Sequence, residues 1–352
     1  MNEWHWDEHF AGQPEIAAYI NRVVEKHDLR KEMQFNTRVQ KARFDSSQRI
    51  WTLTDQDGTQ YTCRWFVSAL GILTNPTLPN IPGVDSFKGE AHHTSRWPTE
   101  PVKLEGKRVA VIGTGATGIQ LIQEVSKTAG TLTVFQRTPM WACPMHNAKI
   151  DAEEMQQLRE WYPQMMKQCA EGYQGFLHNP ESRKTTDVTD EERERIWEEL
   201  YAARGFGIWF SNFADVPVDR EANNKACAFL AKKIRQRVKD QDVAEKLIPK
   251  NHGFATRRVP LETNYFEVYN QPNVTLVDIN ETPIERISAS GIHTSAEDYE
   301  FDVICYATGF DAVTGSYDAI DTKGLDNKSL KDTWWGGPKT YLGFATERFP
   351  NL

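Results

Sequence analysis

The apolar positions along the chain change period several times, and each change marks an element. Residues 107–112 open on charge and continue as the uninterrupted apolar run Val109-Ala110-Val111-Ile112, the pattern of a strand buried on both faces of a parallel sheet. After Gly113-Thr114-Gly115-Ala116-Thr117-Gly118, apolar side chains recur at helical spacing through Ile119, Ile122 and Val125. Residues 131–135 and 302–306 read as two further buried strands, and residues 65–71, ending in Ala69-Leu70-Gly71, predict another. A different pattern governs residues 33–65. Runs at 33–39, 42–44, 51–54 and 60–63, with Asp57-Gly58 between the last two, predict an antiparallel meander. Pro14 and the stripe Ile16, Tyr19, Ile20 and Val23 predict a helix over 14–26.

Between 145 and 250 the period is helical. Thr189-Asp190-Glu191-Glu192 has the form of a capping box, and Leu230, Ile234 and Val238 form one stripe over residues 222–239. The cations beside that stripe (Lys232, Lys233, Arg235, Arg237 and Lys239) read as a solvated face. The aromatic stretch 205–210 reads as core or, less simply, as part of a substrate wall. Residues 284–295 suggest a hairpin. Buried strands alternating with helices make this an α/β chain, and 352 residues are enough for two domains or for one with a large insertion.

Composition narrows the class. The net charge is −8 with acids and bases interspersed, so no basic stripe points to nucleic acid. No apolar run approaches the roughly 20 residues that span a membrane, and residues 1–7 are polar and Trp-rich with no signal-peptide core. The expectation is a cytoplasmic protein. Five cysteines lie scattered without CxxC or zinc-ligand spacing, so reduced thiols and no metal site are expected.

The chemistry concentrates at the glycine turn. A strand, then GxGxxG, then a helix is the context of a dinucleotide-binding site, with Gly113, Gly115 and Gly118 as its glycines and Thr114, Ala116, Thr117, Ile119 and Gln120 completing the turn and first helical residues. The pyrophosphate meets free N–H groups at the helix N-terminus. Selection between coenzymes falls to the end of the next strand, about 20 residues on, where a carboxylate would accept from a ribose 2′-OH. Here the chain has Gln136-Arg137-Thr138. A guanidinium and a hydroxyl without a carboxylate suit a 2′-phosphate, so Arg137 and Thr138 predict NADP(H) over NAD(H). An arginine after a strand is also an ordinary solvated side chain, and residues alone leave that open.

Upstream, Phe87, Gly89, His93, Trp97 and Pro98 form FxGxxxHxxxWP just before the GxGxxG. This spacing resembles the fingerprint of the Baeyer–Villiger monooxygenases, class B flavoproteins that insert one atom of O2 beside a ketone carbonyl. The resemblance implies two Rossmann-like dinucleotide-binding domains, one for FAD and one for NADPH, with the fingerprint coupling their motion through Phe87, Gly89, His93 and Trp97. It divides the chain into a partial FAD-binding domain (1–85), a linker (86–100), an NADPH-binding domain (101–310, with a helical insertion at about 145–250) and a return to the FAD domain (311–352). It further implies that Arg257, where the family usually has Lys, meets the 2′-phosphate, and that Arg258 is catalytic, holding a C4a-peroxyflavin anionic for attack on the ketone. No earlier GxGxxG followed by an acid occurs, so the FAD site is incomplete in these residues and the chain reads as a piece truncated at both ends. Two alternatives stand beside ester or lactone formation: N- or S-oxygenation by the same class of enzyme, and a fragment that binds NADPH without catalysis.

Overall fold

The computed structural model describes residues 3–172 and 175–352. Its backbone contacts divide into two units, one of Met1–Lys26 with Asn80–Ala307 and the other of His27–Pro79 with Thr308–Leu352.

In the first unit five strands form an entirely parallel sheet, in the order Glu90–His93, Val303–Tyr306, Arg108–Ile112, Thr131–Gln136, Val274–Asp278. All four residues of Val303–Tyr306 are buried, as are Val109 to Ile112, which explains their unbroken apolar character. The helix Ala116–Val125 connects Arg108–Ile112 to Thr131–Gln136 and buries Ile119, Ile122 and Val125. Between Thr131–Gln136 and Val274–Asp278 the chain inserts the helices Ala152–Glu171, Asp190–Ala202, Gly207–Phe210, Arg220–Arg237 and Gln241–Leu247. The four longer ones start on Asp151, Thr189, Asp219 and Asp240, whose side chains accept the helices' early N–H groups. Thr189 forms only half of the expected capping box, since the Glu192 carboxylate accepts from Arg183 instead, at 2.8 Å. Ile208 is buried, and Trp209 and Phe210 stack with ring centroids 4.4 Å apart, so the aromatic stretch packs largely on itself.

Three expectations in this unit change. Arg237 is no part of a solvated face: it reaches the fully buried Glu262 at 2.6 Å and Glu267 at 2.6 Å, because the helix end turns inward against Leu261–Glu262. The helix Gln13–Lys26 forms as expected, but its stripe is only partly covered, with Ile16 and Ile20 exposed and Tyr19 against Trp4 and Trp6. The 284–295 hairpin gains a third strand, giving the antiparallel sheet Ile284–Ile287, Gly291–Thr294, Asp298–Glu300.

In the second unit Val39–Asp45, Ile50–Asp55 and Gln60–Cys63 form the predicted meander, and Asp321–Lys323 adds a parallel strand beside Val39–Asp45. The Asp57-Gly58 turn is fastened by Asp55, whose carboxylate accepts from the N–H groups of Asp57 and Thr59. Ala42, Trp51, Leu330 and Phe349 are its buried centre. Pairing begins only at Val39: Asn36 turns to a φ of 54°, which breaks the extended run, and Phe35 is exposed. Residues 65–71 are not a strand. A strand buried on both faces needs a ladder on each side, and among the described residues this segment has neither, so Trp65 and Val67 are exposed.

Among the described residues no helix is long and apolar enough to cross a membrane, all five cysteines are free, and no cluster of metal-ligating side chains occurs.

Candidate dinucleotide-binding site

The glycine turn sits where the strand order reverses. Arg108–Ile112 is flanked by Thr131–Gln136, which follows it in the chain, and by Val303–Tyr306, which comes much later. Ligands of open α/β sheets bind in the crevice outside the carboxyl ends of such a strand pair. Gly113 leaves the strand at a φ of 106°, and a Cβ on it would lie 2.5 Å from the carbonyl oxygen of Ala307. A Cβ on Gly118 would lie 2.2 Å from the carbonyl oxygen of Gly113. These two glycines let turn, helix and neighbouring strand close together. Gly115 differs, because a Cβ there meets nothing within 4 Å. Space beside Gly115 and a helix start that no side chain caps are what a pyrophosphate needs.

The second strand end lies alongside. Phe135 pairs with Ile112, and the Gly113 N–H donates to the Phe135 carbonyl at 3.0 Å, so Gly113 leaves the sheet beside Gln136, the last residue of the neighbouring strand. Thr114 is buried and its hydroxyl donates to the Thr138 carbonyl at 2.9 Å. That hydroxyl ties two turns together and is not offered to a phosphate. Arg137 is exposed and, among the described residues, makes no ion pair. It faces an open groove of about 500 Å³ whose walls include Lys246, Lys250, Asn251 and Asn280. Lys246 is held by Glu281 at 2.6 Å and Lys250 lies 3.5 Å from Glu245. Lys246, Lys250 and Asn280 carry no local sequence signal, since only the fold brings them to Arg137.

Residues 249–260 supply Lys250 and Asn251 to this groove, and Arg257 and Arg258 do not line it. Lys250 and Asn251 also border a second groove of about 470 Å³ with Trp141, Asn223, His252 and Thr256. The loop is pinned from inside: the Asn223 amide donates to the carbonyls of Val216 and Phe254 and accepts from the Phe254 N–H at 3.0 Å. Trp141 donates to the His252 carbonyl at 3.1 Å, and Phe254 and Val259 are buried. Beyond the loop, the Thr263 N–H donates to the Gln123 side chain of the Ala116–Val125 helix at 2.5 Å. Between these anchors Arg257 and Arg258 are exposed, and neither makes an ion pair among the described residues. Burial, and then the neighbouring Arg257, hold His252 below its ordinary range.

Residues 5–159 match the family model "flavin-binding monooxygenase-like". The chain is 50% identical to 2-oxo-Δ3-4,5,5-trimethylcyclopentenylacetyl-CoA monooxygenase of Pseudomonas putida, over 99% of this chain and 65% of that protein. It is 42% identical to cyclopentanone 1,2-monooxygenase of a Comamonas species, over 99% of this chain and 64% of that one. A crystal structure of OTEMO in complex with FAD and NADP superposes with a TM-score of 0.98 at 50% identity, covering 100% of this chain and 67% of that one. The chain belongs to the Baeyer–Villiger monooxygenase family. It spans about two thirds of the length of the curated relatives it matches.

In this Baeyer–Villiger chain the FxGxxxHxxxWP segment, expected as a linker, supplies the edge strand Glu90–His93 of the parallel sheet. A Cβ on Gly89 would lie 2.6 Å from the Asp302 carbonyl oxygen and 2.5 Å from the Phe87 ring, so glycine is what fits. His93 is buried opposite Tyr306, and its Nδ1 accepts from the Ser95 N–H at 3.2 Å. Trp97 packs beside His92, with ring centroids 5.5 Å apart.

Proposed function

We propose that this chain supplies the NADP(H)-binding site of a cytoplasmic Baeyer–Villiger monooxygenase that uses FAD and O2 to insert one oxygen atom beside a ketone carbonyl, giving an ester or lactone. The observation that carries the reading is the open space at Gly115 before an uncapped helix start, with the exposed Arg137 at the end of the neighbouring strand. These residues fit a phosphorylated nicotinamide dinucleotide. Backbone N–H groups of residues 116–118 take the pyrophosphate, and Arg137, Thr138 and Arg257 take the 2′-phosphate. Bound there, the coenzyme supplies a hydride. Among the described residues there is no second parallel strand, glycine turn and helix, so the FAD pyrophosphate cradle is not among them.

Arg258 is the proposed catalytic residue. A guanidinium stays protonated at any working pH, so it cannot surrender its proton to a basic oxygen. On a loop pinned by Asn223 and Trp141 it can hold negative charge as that charge develops on oxygen during insertion. Phe87, Gly89, His93 and Trp97 are proposed to couple the two cofactor-binding parts. Arg137→Ala should weaken NADP+ binding about tenfold or more in a fluorescence titration and leave NAD+ binding unchanged. In the full-length protein Arg258→Ala should lower ester formation by about 100-fold or more with NADPH affinity retained. Equal affinity of the wild type for the two coenzymes would refute the phosphate site. A thioether offered in place of the ketone tests sulfur oxygenation.

A further inference from the structure

The turn that carries Arg137 is held at three successive carbonyls by donors from two other segments. The Gln136 carbonyl accepts from the Ile279 N–H at 2.9 Å, the Arg137 carbonyl from the Asn280 side-chain amide at 2.6 Å, and the Thr138 carbonyl from the Thr114 hydroxyl at 2.9 Å. A fourth bond runs outward, from the Gln136 amide to the Lys246 carbonyl at 2.7 Å. Of these donors Asn280 alone acts through a side chain upon Arg137 itself. Its own geometry is fixed by the last residue of Val274–Asp278. The Asp278 carboxylate accepts from the Asn280 backbone N–H at 2.9 Å and from its amide nitrogen at 2.8 Å. A primary amide has two N–H donors, and here both meet oxygen acceptors, so the nitrogen must face Arg137 and Asp278. Asp278 is also the register partner of Gln136.

We infer that Asn280 is a positioning residue for coenzyme selection: it holds the Arg137 backbone so that the guanidinium is pre-set for a 2′-phosphate, and it thereby sets the preference for phosphorylated over unphosphorylated nicotinamide dinucleotide. The inference rests on the proposed role of Arg137. A loose turn must be ordered when the phosphate arrives, and fixing the Arg137 backbone in advance lowers that cost. Only a ligand carrying the phosphate gains from this, because the pyrophosphate is held by Gly115 and the helix start on the neighbouring strand.

The test is titration of the purified chain with NADP+ and NAD+ separately, followed by protein fluorescence. Asn280→Ala should raise the Kd for NADP+ about three- to tenfold, as expected for losing one hydrogen bond, and leave that for NAD+ unchanged. Asn280→Asp turns a donor into an acceptor against the Arg137 carbonyl and adds negative charge near the phosphate, so the NADP+ loss should exceed tenfold. Asn280→Ser keeps one donor and should fall between wild type and Asn280→Ala, and it serves as the second variant if the alanine form does not fold. Equal weakening of both coenzymes would mean a merely structural role and would overturn the inference, as would no change in either. A wild type that binds both coenzymes equally would instead overturn the phosphate reading of Arg137, and the role of Asn280 would fall with it.

Discussion

Gly115 and Gly118 stand three residues apart in one turn and face opposite constraints. A methyl group at Gly118 has no space, because it would press on the Gly113 backbone. A methyl group at Gly115 has space in the free protein and would collide only with the proposed pyrophosphate. Gly115→Ala should therefore keep stability within about 1 kcal/mol of wild type while abolishing measurable NADP+ binding. Gly118→Ala should lower both, with a stability loss of about 1–3 kcal/mol in denaturant unfolding. Equal behaviour of the two variants would show that the open space at Gly115 is not the pyrophosphate site. The spacing of these glycines is legible in the sequence. So is their division of labour, open approach at Gly115 and tight packing at Gly118; what is not legible is Ala307, nearly two hundred positions away, which the fold brings against Gly113.

At the scale of elements, the strand–turn–helix unit and the insertion helices could be read from local pattern because local pattern dictates them. Apolar runs bury, and Asp or Thr caps open helices. The Trp65–Gly71 stretch could not be, since an apolar run specifies burial and not the strand that provides it. Nor could Glu90–His93, whose polar sequence gives no strand signal and whose place comes from the register with Val303–Tyr306. The loop bearing Arg257 and Arg258 is a third case. Two adjacent arginines read as a solvated loop until Asn223, on a helix some thirty residues earlier, is seen to hold the Phe254 backbone by both its N–H and its carbonyl. Asn223→Ala removes these bonds inside a buried setting. It should cost about 2–3 kcal/mol in denaturant unfolding and, in the full-length protein, lower ester formation without a matching loss of NADPH affinity. If turnover stays at the wild-type level, the rigidity of the loop has no bearing on catalysis.

For the whole molecule, alkaline stability follows from burial. Burial pushes the Cys305 thiol and the Tyr201 and Tyr306 phenols up to about 12 each, and drives the Cys143 thiol higher still. The folded chain thus keeps protons that the unfolded chain releases near pH 8.5 to 10. Stability from these groups is complete below that range and is lost as pH rises toward 12. The urea midpoint should fall steadily from pH 8 to pH 11, and at pH 8 Cys143 and Cys305 should resist a thiol reagent until the protein unfolds. Cofactor content gives a further test. With one glycine turn between a parallel strand and a helix among the described residues, proposed here as the NADP(H) site, the purified chain should bind NADP+ and remain colourless after incubation with FAD; a stable flavin absorbance band would contradict this.

The edge strand Glu90–His93 also explains the counting rule inside its own motif. Gly89 is jammed against the Asp302 carbonyl, and His93 lies four residues on, facing Tyr306. In a pleated chain odd and even positions point to opposite sides, so one residue added between this glycine and this histidine would aim the imidazole at the wrong face. Adding two would restore the side but overshoot the end of the sheet. The number of letters between G and H in this motif is therefore a measured length, cut to fit the neighbouring strand.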